Sequence, residues 1–494
     1  MPYKLVLSPL KQEKYQTYYN DQMTEMTIQT EIQIPTQTQH SCTTEPVHVI
    51  GAGLAGCEAA WQLAQSGVPV ILHEMKPEKY TPAHHMPGMA ELVCSNSLRS
   101  AQIFNAVGLL KEEMRRLGSL VMDAADHTAV PAGAALAVDR VKFSDFITRA
   151  ITTHPLIEVC AEEIVAPTEL CGIVVIATGP LTSDALSARL GEMLGESYLH
   201  FFDAAAPIVD AASIDMGQAY VASRYGKGEA CYVNCPMDRE QYDAFYHALL
   251  TAQTAPLKAF DSESQARAMD KQQVFEGCMP VEVMARRGYD TLRYGPLKPV
   301  GLPDPKTGKT PYAVVQLRQE NVEKSMYNMV GFQTHLTFPE QKRVFGMIPG
   351  LKEAVFLRYG VMHRNTFLNS PKLLDACYRL RREPRFFFAG QMTGVEGYVE
   401  SAASGLVAGV NAARNAKHME PYIFPRETMI GAMATYVSAG GLGTFQPMNA
   451  NFGIVPPLVE RVRGGKKARN DALAARALEE IDRAAALLKS CGDV

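Results

Sequence analysis

The residues best placed to do chemistry in this chain are a glycine trio and a set of thiols. Gly51-Ala52-Gly53-Leu54-Ala55-Gly56 has the Gly-x-Gly-x-x-Gly spacing. The first glycine permits a tight turn, the second lets the backbone approach a pyrophosphate, and the third lets a helix pack closely on a strand. The helix that follows offers free N–H groups and its positive dipole end to phosphate. Glu74 falls about twenty residues further on, where a partner for a ribose hydroxyl is expected.

Later segments point to FAD. Ala177-Thr178-Gly179 reads as a strand-end turn. Phe388 to Tyr398 reads as a second glycine-rich loop, with Gly390 and Gly394, that enters a small-residue helix from Ser401 to Ala413. Such a junction can hold the flavin end or its second phosphate and polarise an isoalloxazine carbonyl. Tyr398 is a candidate to stack on that ring, with helix packing as its plainer role.

The ten cysteines are scattered without a small-domain framework, which argues for reduced thiols in a cytoplasm. Cys57, Cys160, Cys171, Cys278 and Cys377 are read as small buried hydrophobes. Cys231 and Cys235 have a spacing that zinc accepts, but no second Cys/His pair stands nearby, so no metal is expected. No close cysteine pair follows the glycine motif, as a flavin disulfide reductase would require.

These groups need a scaffold. Val47–Ile50 reads as a buried strand, the glycine turn leads into a helix to about Ser66, and Val68 to Glu74 is a second strand, a βαβ opening. Ile173–Ile176 and Phe386–Ala389 are further apolar strands. The expected fold class is α/β: a Rossmann-like FAD-binding domain with an inserted α+β domain. The FAD-binding domain is expected over 46–210 and 331–420. The insertion, aromatic and Arg-rich, is expected over 211–330. A C-terminal segment over 421–494 is expected to pack on the FAD domain and to end in an Ala-rich helix, Ala472 to Leu488. Residues 1–45, rich in Gln and Thr, read as a disordered extension without the apolar run of a secretory signal. No stretch approaches the ~20 apolar residues of a membrane helix, so a soluble, cytoplasmic protein is expected.

A net charge of −4 argues against whole-surface attraction to nucleic acid. Any RNA contact must therefore come from local clusters. Two exist: Arg379, Arg381, Arg382 and Arg385, and then Arg461, Arg463, Lys466, Lys467 and Arg469.

Longer blocks carry a resemblance. Glu91 to Ser100 (ELVCSNSLRS), Tyr232 to Met237 (YVNCPM), Met279 to Gly288 (MPVEVMARRG), Tyr359 to Thr366 (YGVMHRNT) and the loop from Gly390 to Gly405 are similar to signature blocks of the folate- and FAD-dependent tRNA (uracil-5-)-methyltransferase family. The similarity runs in order from about Val47 to at least Pro457. One departure is Lys76, where the family pattern leads one to expect Arg, so a planar bidentate or stacked role is lost there. The resemblance implies FAD as cofactor, methylenetetrahydrofolate as carbon donor, NAD(P)H as reductant and the T-arm of tRNA as partner. It places Gly51 to Gly56, Glu74, Lys76, Gly179, Gly390, Gly394 and Tyr398 at the cofactor.

That chemistry makes demands on side chains. Uracil C5 is a poor nucleophile. A thiolate adding at C6 makes an enolate, whose C5 can attack a one-carbon electrophile. A base must then remove the C5 proton, and a hydride must complete the methyl group. The cysteines inside the matching blocks are Cys94 and Cys235. Cys235 is taken as the C6 nucleophile and Cys94 as the acid/base partner, an order that can be swapped. A thiolate needs nearby cations, for which Arg99, Arg286 and Arg287 are candidates. His363-Arg364 can bind folate carboxylates, nicotinamide or phosphate, or be structural. Competing readings are a wobble-uridine flavoprotein, the same chemistry on ribosomal RNA, a non-catalytic flavin-containing RNA binder, and a plain NAD(P)H oxidase or disulfide reductase.

Overall fold

The computed structural model describes residues 45–492 except 82, 196–198, 205, 227–228, 256–278, 321–323, 361, 440–444, 446 and 461, and only the backbone of 199–204 and 362–366. The expected extension 1–45, apart from residue 45, lies outside the described residues, as do Cys278 and Arg461 and the side chains of His363 and Arg364.

A five-stranded parallel sheet organises the first unit, in the order β16-β7-β1-β2-β6. Its strands are β1 (Val47–Ile50), β2 (Val70–Glu74), β6 (Ile157–Ala161), β7 (Val174–Ile176) and β16 (Phe386–Phe388). Val49, Leu72, Val174 to Ile176 and Phe386 to Phe388 are almost wholly buried, as strands covered on both faces must be. The β6 strand was not foreseen. Its sequence, IEVCA, is too short and too mixed to stand out, and its place comes from pairing His73 with Cys160. The helices here are α1 (Leu54–Gln65), α2 (Ala106–Arg116), α3 (Leu120–His127), α4 (Arg140–Thr153), α5 (Asp184–Leu194), α10 (Ser370–Leu373), α11 (Tyr398–Ala416), α12 (Met429–Ala439) and α13 (Gly465–Ser490). A small sheet of β3 (Ser97–Ser100), β4 (Ala129–Val130) and β5 (Ala135–Val138) flanks them.

The second unit is a six-stranded antiparallel sheet of β10 (Tyr220–Ala222), β11 (Tyr232–Met237), β12 (Ala313–Gln319), β13 (Met326–Met329), β9 (Ile208–Asp210) and β14 (Phe356–Arg358), in that order. It carries α6 (Arg239–Leu250), α7 (Val281–Arg286), α8 (Thr291–Tyr294) and α9 (Phe338–Phe345). A two-stranded ribbon of β8 (Leu199–Ala204) and β15 (Met362–Phe367) brackets it in sequence. The insertion therefore reaches Arg358 rather than ending near 330. Its last strand pairs across the sequence with β9, a non-local match that composition does not reveal.

The C-terminal segment docks on the first unit through a buried carboxyl and a more exposed ion pair. The Glu113 carboxylate on α2 accepts from the backbone N–H groups of Met429 (2.7 Å) and Ile430 (2.9 Å), capping α12. Arg116 on the same helix reaches Asp482 of α13 at 2.8 Å. Among the described residues, no helix is long and apolar enough to cross a membrane.

Candidate functional site

The glycine turn behaves as its spacing requires. Gly51 has φ +96°, and a Cβ there would lie 2.8 Å from the Ala177 carbonyl oxygen. On Gly56 a Cβ would lie 1.8 Å from the Gly51 carbonyl oxygen, so α1 can sit this close to β1 only without a side chain. Gly53 is different: a Cβ there would meet nothing within 4 Å. Its open side faces a cleft lined by Gly51 to Ala55, His73 to Lys76, Ala177 to Ser183, Gly390, Gln391 and Tyr398. That is the cradle a pyrophosphate needs at a helix N-terminus. The Glu74 carboxylate closes the end of β2, accepting from Ala52 N–H (2.8 Å) and Lys76 N–H (2.9 Å).

The second loop completes the cleft from the opposite side. Gly179 (φ +70°) also opens onto empty space. Gly390 (φ +84°) donates its N–H to the Ser404 hydroxyl at 2.7 Å. Gly394 (φ +87°) lies against the Phe445 ring, which a Cβ would meet at 2.4 Å. Gly405 and Gly409 on α11 let that helix pack on Ala55 and Ala59 of α1. The residues thus fit a dinucleotide whose phosphates lie at α1. Lys76 lines this cleft, but its ammonium turns to the carbonyl oxygens of Met86 (3.3 Å) and Gly88, so its charge holds the 86–88 turn.

Cys94 stands on the loop between this cleft and β3, half-buried. The Tyr398 hydroxyl accepts from the backbone N–H of Cys94 (2.6 Å) and of Ser95 (3.2 Å), so Tyr398 anchors this loop to the start of α11. Arg140 donates to Leu92 O (2.7 Å) and Arg358 to Val93 O. Both guanidiniums lie within electrostatic range of the Cys94 sulfur. Burial and then the neighbouring Arg140 lower the Arg358 pKa. Arg140 also pairs with buried Glu320 at 2.7 Å. Arg318 donates to Ser95 Oγ (2.6 Å) and Asn96 Oδ1 (3.0 Å), while Asn96 Nδ2 reaches the Gln319 carbonyl (2.9 Å). The loop carrying Cys94 is therefore the seam between the two units.

Of the cations foreseen for this role, Arg99, with φ +63°, pairs with the buried Glu400 beside Gly397. Arg286 and Arg287 are exposed at the end of α7 in the insertion. Arg140, Arg318 and Arg358 come from segments far apart in sequence, and no local signal marks them.

Cys235, the other thiol of the expected pair, stands in different surroundings from Cys94. Cys235 lies on β11 opposite Val315 and is fully buried. Side chains alternate along a strand. Arg318 of β12 faces the seam, where it meets Asn96. Val315 and Leu317 face the insertion core, as do Val233, Cys235 and Met237 of β11. A Cβ on Gly350 would lie 3.4 Å from the Cys235 sulfur. Burial alone pushes this thiol up to about 12.

One group of potential ligands was passed over in the sequence. The His73, Cys160 and Glu162 donor atoms lie within 4.8 Å of one another, brought together by the β2–β6 register. His73 Nδ1 hydrogen-bonds Glu162 at 2.9 Å, and His48 Nδ1 meets His73 Nε2 at 2.9 Å. Burial lowers the pKa of both imidazoles.

Residues 46–420 match the family model described as glucose inhibited division protein A. The fold is similar to two crystal forms of Aquifex aeolicus GidA, each with a TM-score of 0.64. Identity is 18% and 19%, over 91% of this chain and 74% and 76% of those chains. Among curated relatives, a Brevibacillus brevis protein named methylenetetrahydrofolate--tRNA-(uracil-5-)-methyltransferase TrmFO is 60% identical over 88% of this chain and 97% of its own length. Proteins of the same name from Enterococcus faecalis and Heliobacterium modesticaldum are 60% and 61% identical, each over 88% of this chain and over 98% and 97% of their own lengths. The chain belongs to the TrmFO family.

Proposed function

We propose that this protein methylates C5 of a uracil in tRNA, with methylenetetrahydrofolate as carbon donor and FAD as cofactor. Its relatives' names carry the reaction, and the dinucleotide cleft carries the cofactor. NAD(P)H is the expected reductant and the T-loop the expected target. When bound, the flavin supplies the reducing equivalents that complete the methyl group. Gly53 and Gly179 leave room for the cofactor backbone, and Glu74 stands where a ribose would lie.

The observation that bears most on the mechanism is the setting of Cys94. It stands on a loop at the cleft, tied by Tyr398 and flanked by Arg140 and Arg358. Guanidinium charge beside a thiol favours the thiolate, the form that adds to C6. The same charge favours the enolate that forms on the base. The geometry therefore supports Cys94 as the nucleophile, reversing the order first assigned to the pair. Cys235 in its closed core has neither cation nor access, and a part for it requires β11 to open.

The test is turnover. Purified protein given methylenetetrahydrofolate, NADH or NADPH and an unmodified tRNA transcript yields 5-methyluridine in the T-loop, read by nucleoside mass spectrometry. Product in a ribosomal RNA fragment but not in tRNA would overturn the assignment of substrate.

A further inference from the structure

The two basic clusters of the sequence meet different fates in the fold. In the first, Arg379 pairs with Asp375 at 3.0 Å, and Arg381 donates to Ser438 O at 3.0 Å. Arg382 donates to Met193 O, and Arg385 to Leu170 O at 2.7 Å and Glu383 at 2.8 Å. That cluster ties chain segments together and presents little free charge.

The second cluster is exposed. Arg463, Lys466, Lys467 and Arg469 all face solvent, and none has an ion pair among the described residues. Lys467 Nζ lies 5.2 Å from the Phe104 ring centre. Glu460 and Asp471 are the acidic residues nearest in sequence, too few to balance four cations. Apart from the Lys467 contact, no ion pair among the described residues accounts for this placement. Lys466, Lys467 and Arg469 fall at the beginning of α13, whose first turn holds no acidic residue. Cations there oppose the helix dipole, so the local charge works against the helix.

The position of this patch is informative. Asn470 Nδ2 donates to Phe104 O at 3.1 Å, which fixes the beginning of α13 on the loop after β3. That same strand leads back to Cys94. Ten residue-to-residue steps separate Cys94 from Phe104, at most about 35 Å when fully extended. Charge on this scale is what phosphate backbone recognition requires in a chain whose net charge is −4.

We propose that Arg463, Lys466, Lys467 and Arg469 form a docking surface for RNA phosphates, holding the tRNA backbone while a distant base enters the Cys94 cleft. This rests on the tRNA reading above and adds the place where the nucleic acid is held.

The test uses full-length flavin-loaded protein carrying Lys466→Gln, Lys467→Gln and Arg469→Gln together. Its Kd for a tRNA transcript is measured from low to high KCl beside wild type. At about 0.1 M salt Kd rises roughly tenfold or more, and the slope of log Kd against log salt falls by about 2 to 3, near 0.9 per lost phosphate contact. Flavin content stays at the wild-type level and Tm does not fall, since the removed charges oppose the helix. KM for tRNA rises while kcat holds. Unchanged Kd and slope would overturn the proposal. So would an equal loss of heparin binding with tRNA affinity intact, which would mark a general anion surface. If wild type binds tRNA but makes no 5-methyluridine, the methylation reading fails and the docking surface stands on its binding data.

Discussion

The Tyr398 hydroxyl lies 2.6 Å from the backbone nitrogen of Cys94 across more than three hundred residues of sequence. The aromatic residue that opens α11 is thus joined to the loop that presents the thiol. The sequence marks Tyr398 as a candidate to stack on the flavin or to pack its helix. In the structure it lines the cleft, and its hydroxyl accepts from two consecutive N–H groups.

Tyr398→Phe removes that acceptor and leaves both N–H groups without it. An unsatisfied buried donor costs about 1–3 kcal/mol, enough to let the Cys94 loop shift. The variant should retain flavin, by visible absorbance, while its kcat falls at least about tenfold, the factor that 1.4 kcal/mol represents. Full activity would show that the anchor does not matter.

Gly53 and Gly56 should separate binding from folding. Gly53 has φ −75° and open space at its Cβ position, so Ala fits the backbone. Gly53→Ala should keep its far-UV circular dichroism and Tm measured without cofactor, yet bind FAD roughly tenfold or more weakly, as the methyl occupies the pyrophosphate side. Gly56→Ala drives a methyl into the Gly51 carbonyl and should yield little folded protein. Equal FAD affinity for Gly53→Ala and wild type would contradict the cradle.

Glu113 predicts a pH dependence of stability. Burial raises its carboxyl from an ordinary 4.5 to about 8, against the opposing pull of two backbone N–H groups. The folded state therefore holds a proton that the unfolded chain releases. The stability from this group is complete below about pH 4.5 and is lost as pH rises towards about 8. Lys111 nearby, pushed down to about 7 by burial, acts in the opposite sense at higher pH. The informative quantity is thus the difference between wild type and Glu113→Gln. Denaturant titrations should show the variant gaining on wild type between pH 5 and 8, by on the order of 1 kcal/mol per unit at most. A difference that does not change with pH would mean the carboxyl ionises normally.

Much of the cofactor site was legible because it is local. Strand, glycine turn, helix and second strand lie within thirty residues, and each glycine has a steric reason that spacing encodes. The seam around Cys94 was not legible. Arg140, Arg318 and Arg358 reach it from α4, β12 and β14, and only tertiary pairing unites them. Cys235 shows a subtler limit. Alternation along Val233, Cys235 and Met237 marks one face of a strand, but a single sequence does not say which face meets the core. The arginines at 379 to 385 mislead for a related reason: carbonyl groups remote in sequence take up their donors.

The most direct measurement is covalent trapping with a T-arm RNA carrying 5-fluorouracil, followed by mass spectrometry of the cross-linked peptide. The account predicts an adduct at Cys94 in wild type, none in Cys94→Ala, and an adduct still formed by Cys235→Ala, whose loss of core sulfur costs only about 1 kcal/mol of stability. An adduct mapped to Cys235, persisting in Cys94→Ala, would contradict it.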